Sequence, residues 1–129
     1  MCSIDDAEPW QFYRRTEVRG RKTHACSECG RVIAPRELHH RTVGKVEGDF
    51  SEWRTCAQCF AAASWMVETC DGWILSALSD DLWDHWRDGP EYRSVWLARA
   101  IVGMRRQWRT RKGELMQPLA PYQRQAEAA

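Results

Sequence analysis

The apolar positions of this chain change period near its middle. Before Cys56 they lie in short extended runs, and after it they recur at helical spacing. Trp10-Gln11-Phe12-Tyr13 is aromatic and strand-like, and Arg14 to Lys22 forms a polar, basic approach to the first cysteines. Leu38 to Val43 and Phe50 to Thr55 read as two strands around Gly44 to Asp49, with Gly48-Asp49 supplying the turn. From Cys56 onward, Cys59, Ala63, Met66 and Cys70 follow one helical stripe until Asp71-Gly72 breaks it. A second helix is expected from Trp73 to Arg87, burying Leu75, Leu78, Leu82, His85 and Trp86, and closed by Asp88-Gly89-Pro90. A third is expected from Glu91 to Lys112 on the stripe Leu97, Ile101, Met104 and Trp108. Gly113, Pro118 and Pro121 then end regular structure, and 118–129 is expected to be a disordered tail.

The cysteines turn this pattern into a site. Cys26-Ser27-Glu28-Cys29 and Cys56-Ala57-Gln58-Cys59 are two CxxC pairs, each able to bring two thiolates to one metal. Together they close a four-sulfur shell suited to one structural zinc ion, with no open position for water or substrate. The second pair falls at a helix start, where free N–H groups and the positive dipole end favour thiolate. Cys70 lies too far along the helix axis to share that ion and reads as a small buried hydrophobe. Cys2 stands in the N-terminal segment. His39 and His40 are adjacent on a strand, so they point to opposite faces; one is expected to pack or hydrogen-bond near the metal and the other to be exposed.

The order knuckle, hairpin, then helix carrying the second CxxC resembles the treble-clef zinc fingers, over roughly Thr23 to Val67. The expected fold is therefore α+β: a treble-clef module at 1–70, a helical extension of two or three packed helices at 71–117, and the tail. Treble clefs include the HNH endonucleases, in which a strand histidine placed like His39 or His40 is the general base. That family also requires a metal-binding histidine at the helix start and an asparagine. Phe60 follows Cys59 here and the chain has no asparagine, so nuclease activity is not expected. The run from His24 to Trp65 further resembles small zinc-binding proteins of phage and prophage genomes. That resemblance implies an accessory protein that binds a host protein or nucleoprotein complex, including anti-defence or anti-CRISPR-like inhibition.

Charge then narrows where binding would occur. The chain has 19 basic and 18 acidic side chains, too balanced for a dedicated DNA-binding domain. Residues 60–98 hold 2 basic and 7 acidic groups, whereas 99–129 hold 7 and 2, so the charges are segregated. Arg99, Arg105, Arg106, Arg109, Arg111 and Lys112 are candidate partner contacts on the third helix. Trp83, with Asp80, Asp81 and Asp84 as an acidic collar, is the candidate exposed anchor on the second. An acidic protein groove or a nucleic-acid backbone could face the basic helix, the second making the chain a DNA- or RNA-binding regulator, or the basic face could simply keep the protein soluble. No apolar run is long enough to span a membrane and no secretory signal is visible, so a cytoplasmic, intracellular protein without a small-molecule substrate is expected.

Overall fold

A computed structural model describes residue 2, residues 12–46 and residues 48–124. It is a mixed α/β domain with two small antiparallel sheets and three helices. The first sheet has the order β1-β4-β5, from Phe12–Arg19 (β1), Leu38–Val46 (β4) and Asp49–Cys56 (β5). His24–Ala25 (β2) and Val32–Ile33 (β3) form the second. The β4–β5 hairpin is longer than the two runs the sequence suggests, pairing continuously from His39 opposite Cys56 to Val46 opposite Asp49. Gly48, at φ 87°, makes so tight a reversal possible, because this backbone region strains any residue with a Cβ.

The basic approach beginning at Arg14 is itself strand. β1 runs to Arg19 and pairs with β4 from Phe12 opposite Lys45 to Arg19 opposite Leu38. Thr16 and Val18 favour the extended backbone, and β4 offers a free edge to pair with. Trp10 and Gln11 of the aromatic run lie outside the described residues. Along β5 burial rises from the exposed turn end to fully buried Thr55 and Cys56, so the base of the sheet enters the core while its tip projects.

Helix α1, Ala57–Cys70, follows directly, and Asp71 closes it in the left-handed conformation at φ 61°. Three helix boundaries differ from the apolar pattern: the start of α2 and both ends of α3. Helix α2 is Leu78–Asp88, not Trp73 onward, because Ser76 at φ 74° turns the chain immediately before it. Its buried side is Leu78, Asp81, Leu82 and His85, so Asp81 belongs to the core side and not to an acidic collar. Helix α3 is Val95–Arg105, entered through a 3-10 turn at Pro90–Tyr92 and capped by the Ser94 hydroxyl, which accepts the Leu97 N–H at 3.1 Å. It stops before Lys112 because Gln107 and Trp108 adopt left-handed φ values of 52° and 60°. Leu97, Ile101 and Met104 form its buried stripe as expected, whereas Trp108 is buried from beyond the helix end.

One apolar core joins these parts, from Cys26 and Ile33 of the small sheet through Trp65 and Met66 of α1 to Leu82, Leu97 and Trp108. Two corrections concern the chain ends. Residues 118–124, placed by the sequence in a disordered tail, pack on the helices: Leu119 is buried, Tyr122 donates its N–H to the Ser64 hydroxyl at 2.8 Å, and the Trp96 indole donates to the Ala120 carbonyl at 3.0 Å. Residues 125–129 lie outside the described residues. Cys70 is buried but does not serve as a free small hydrophobe, since it is disulfide-bonded to Cys2 with Cα atoms 5.5 Å apart.

Candidate metal centre

The knuckle between β2 and β3 presents the first two sulfurs. Cys26 donates its N–H to the Arg31 carbonyl and accepts the Gly30 N–H at its own carbonyl, both at 2.9 Å. Gly30 completes the turn at φ 80°. Cys56 is at once the last residue of β5 and the N-cap of α1, and Cys59 lies in the first helical turn. Cys26, Cys56 and Cys59 are buried and Cys29 is half-buried. All four Sγ atoms lie within 4.8 Å of one another, and Cys29 and Cys56 approach to 4.0 Å. A tetrahedral ion with ~2.3 Å bonds to sulfur separates its ligands by about 3.8 Å, so the cluster could hold one metal ion with little adjustment.

The surroundings are those of thiolates. Cys26 Sγ accepts the N–H groups of Glu28 and Cys56, each at 3.4 Å, and Cys56 Sγ accepts that of Cys59 at 3.4 Å. Trp108 reaches in from beyond α3 and donates its indole N–H to Cys59 Sγ at 3.2 Å. Donation from Cys29 and the other two thiols, with the Cys56 backbone amide, holds Cys26 well below the usual thiol range. Hydrogen bonding with Cys26 and Cys29, together with burial, pushes Cys56 and Cys59 up instead. Four thiols packed this closely, three of them buried, resist ionising together. A divalent cation removes that conflict, which is the chemical case for a metal here.

Three further contacts fix the knuckle to the helices. Arg31, buried, pairs with Glu37 and donates to Gln58 Oε1 at 2.6 Å, while Gln58 donates onward to the Met116 carbonyl at 2.9 Å. Gln107 donates its side-chain N–H to the Cys29 carbonyl at 3.1 Å. Glu28, inside the first CxxC, sends its carboxylate to the start of α2. There it accepts from the Trp73 indole at 3.2 Å and from the Ser76 and Leu78 N–H groups at 2.9 and 3.1 Å. Ala77 at the α2 N-cap has no side-chain cap of its own, so Glu28 replaces it from 50 residues away. Glu28→Ala is expected to cost about 1–2 kcal/mol, the usual value of a lost cap. Urea unfolding of the metal-loaded protein measures it. A difference under a few tenths of a kcal/mol would show that Glu28 does not cap α2.

The histidines point to opposite faces, but neither is the exposed residue that the sequence predicts. His39 is buried, donating from Nδ1 to the Glu37 carbonyl at 2.9 Å and accepting the Arg54 guanidinium at Nε2 at 3.0 Å. His40 stacks on Phe60 with ring centroids 3.6 Å apart. The candidate partner residues are only partly gathered together. Arg99, Arg106, Arg109 and Arg111 line one groove of about 420 Å³. Arg105 turns away to cover the Trp83 ring at 4.7 Å. Asp84 is paired with Arg87 at 3.0 Å, Asp80 is exposed, and Lys112 lies in the exposed turn after Arg111. Glu28, Arg31, Gln58 and the contact of Trp108 were not legible as site features, because each acts across tens of residues on a partner that only the fold supplies. No protein-family model, curated protein or solved structure matches this chain.

Proposed function

We propose that this is a zinc-stabilised, non-enzymatic binding protein whose Arg99–Arg111 groove takes an acidic, amphipathic segment of a partner protein. The all-sulfur donor set favours one structural zinc ion, and the order of knuckle, hairpin and helix supports a treble-clef reading of the module around it. The observation that carries the binding reading is the groove. Its floor is apolar, from Ala98, Val102 and Met116, while four arginines stand around it. Arg109 donates to the Gly113 carbonyl at 3.3 Å, but among the described residues Arg99, Arg106 and Arg111 have no carboxylate partner. Unpaired guanidinium groups over apolar surface suit carboxylates that flank an aliphatic or aromatic side chain. A bare nucleic-acid backbone would leave the floor unfilled.

Two observations support a role without catalysis. A closed four-sulfur shell has no free coordination position. The His39 nitrogens both engage protein groups, which removes that side chain as a strand-borne general base. In the phage setting implied by the His24 to Trp65 resemblance, the partner would be a protein of a host nucleoprotein complex.

The test is an NMR titration with two probes, a short helical peptide carrying glutamates around leucines and a short DNA duplex of mixed sequence. The peptide is expected to shift the amides of 98–111, and the double charge reversal Arg99→Glu with Arg106→Glu to weaken it about tenfold or more. Duplex binding that is tighter than the peptide's and falls steeply with salt would replace this reading with nucleic-acid recognition.

A further inference from the structure

We propose that Cys2, Cys70 and His85 form a second metal site, for one thiophilic divalent cation such as zinc, that opens when the Cys2–Cys70 disulfide is reduced. It lies apart from the four-cysteine cluster. Cys70 is the last residue of α1, and His85 faces it from α2. The two sulfurs and an imidazole nitrogen lie within 4.8 Å of one another.

The state of His85 is the observation that points to a ligand. The side chain is 1% exposed. Its Nδ1 lies 2.7 Å from the Asp81 carbonyl, which can only accept, so Nδ1 carries the proton. In the neutral ring, the form that binds a metal, Nε2 then holds the lone pair, and its neighbour is Cys70 Sγ at 3.7 Å. A disulfide sulfur has no proton to offer, leaving a buried acceptor aimed at sulfur without a donor among the described residues. Metal-binding histidines are oriented in the same way, one ring nitrogen donating to a carbonyl and the other free for the ion. Trp65 and Tyr92 meet the His85 ring edge-on at 5.0 and 5.1 Å and fix its plane. Two sulfurs and one nitrogen supply three ligands, leaving the fourth tetrahedral position for a water molecule.

The chemistry balances in two steps. A dithiol reductant gives two electrons and two protons to the Cys2–Cys70 bond, leaving two thiols and becoming a disulfide itself. The cation then displaces both thiol protons to solvent and takes the Nε2 lone pair, with no proton change on the imidazole. Reoxidation of the two thiolates by a disulfide or peroxide acceptor removes two ligands and releases the ion. The pair would thus couple thiol redox state to metal load.

The experiment compares zinc uptake by the full chain in its disulfide form with uptake after reduction by a phosphine that is then removed, counting bound zinc by native mass spectrometry. Cobalt uptake provides a spectroscopic count of sulfur and nitrogen ligands. The reduced protein is expected to bind one equivalent more than the disulfide form, with cobalt spectra of that extra equivalent showing mixed sulfur and nitrogen ligation. Cys2→Ser removes one sulfur and the Cys2–Cys70 cross-link, and should lose the extra equivalent while keeping the zinc of the four-cysteine cluster. His85→Gln should weaken it about tenfold or more, the usual effect of losing one orienting or ligating group. Equal uptake by both forms, an extra equivalent surviving Cys2→Ser, or unchanged affinity in His85→Gln would each overturn the proposal.

Discussion

Stripping the metal with a strong chelator under reducing conditions is expected to unfold the protein, including helices that hold no ligand. Structural zinc sites contribute on the order of 10–16 kcal/mol to folding, comparable to the whole net stability of a domain, about 5–15 kcal/mol. Without the ion four thiolates within 4.8 Å of one another, three of them buried, would repel one another. The loss spreads because the knuckle is wired to the rest. Glu28 caps α2, Gln107 and Trp108 bring the end of α3 onto the cluster, and Arg31 reaches Gln58 and, through it, Met116. Cys56→Ser should act like the chelator, since Cys56 ends β5, caps α1 and supplies a sulfur. Far-ultraviolet circular dichroism and NMR amide dispersion report the outcome. Retention of α2 and α3 as a folded unit in the metal-free protein would show that the helices stand alone.

The second large effect is expected at Trp108. Its ring is fully buried and lies where Gly103 has no side chain, so close that a Cβ on Gly103 would come within 2.2 Å of it. Trp108→Ala removes that ring and leaves a cavity between α3 and the cluster, at a cost of about 3–5 kcal/mol. Trp108→Phe keeps most of the volume and deletes the N–H that meets Cys59 Sγ at 3.2 Å. A hydrogen bond to a charged group contributes ~1.5–3 kcal/mol, so the phenylalanine variant should retain more stability but release its metal faster to a competing chelator. Urea unfolding and chelator-transfer kinetics separate the two effects. Equal release rates for Trp108→Phe and the parent protein would show that the indole donor does not support the sulfur.

Local pattern made the four-cysteine cluster and the hairpin legible, and tertiary contact decided what it missed. The CxxC pairs announce their chemistry in four residues each, and helix α1 follows from an apolar stripe with a left-handed stop at Asp71. The start of α2 was not legible because its cap is not nearby in sequence. Trp73 and Leu75 fit a helical stripe, yet the carboxylate of Glu28 gathers Trp73, Ser76 and Leu78 and leaves the segment before Leu78 as a turn. The end of α3 misled in the opposite direction. Trp108 continues the spacing of Leu97, Ile101 and Met104, but its indole is drawn to a sulfur and the backbone turns left-handed to let it arrive. Periodicity cannot show a pull of that kind. The basic residues of 99–112 were visible as a cluster, while their division was not: four surround a groove, and Arg105 covers Trp83. The Cys2–Cys70 bond spans 68 residues and has no spacing signature.

The claim on which the rest depends is that Cys26, Cys29, Cys56 and Cys59 hold one zinc ion and that this ion organises the fold. X-ray absorption at the zinc edge, on protein kept in the Cys2–Cys70 disulfide form and assayed for metal content, tests it most directly. The account predicts one zinc per chain with four sulfur neighbours at ~2.3 Å and no nitrogen or oxygen in the shell. A folded chain that carries no zinc, or a shell containing nitrogen or oxygen, would contradict it.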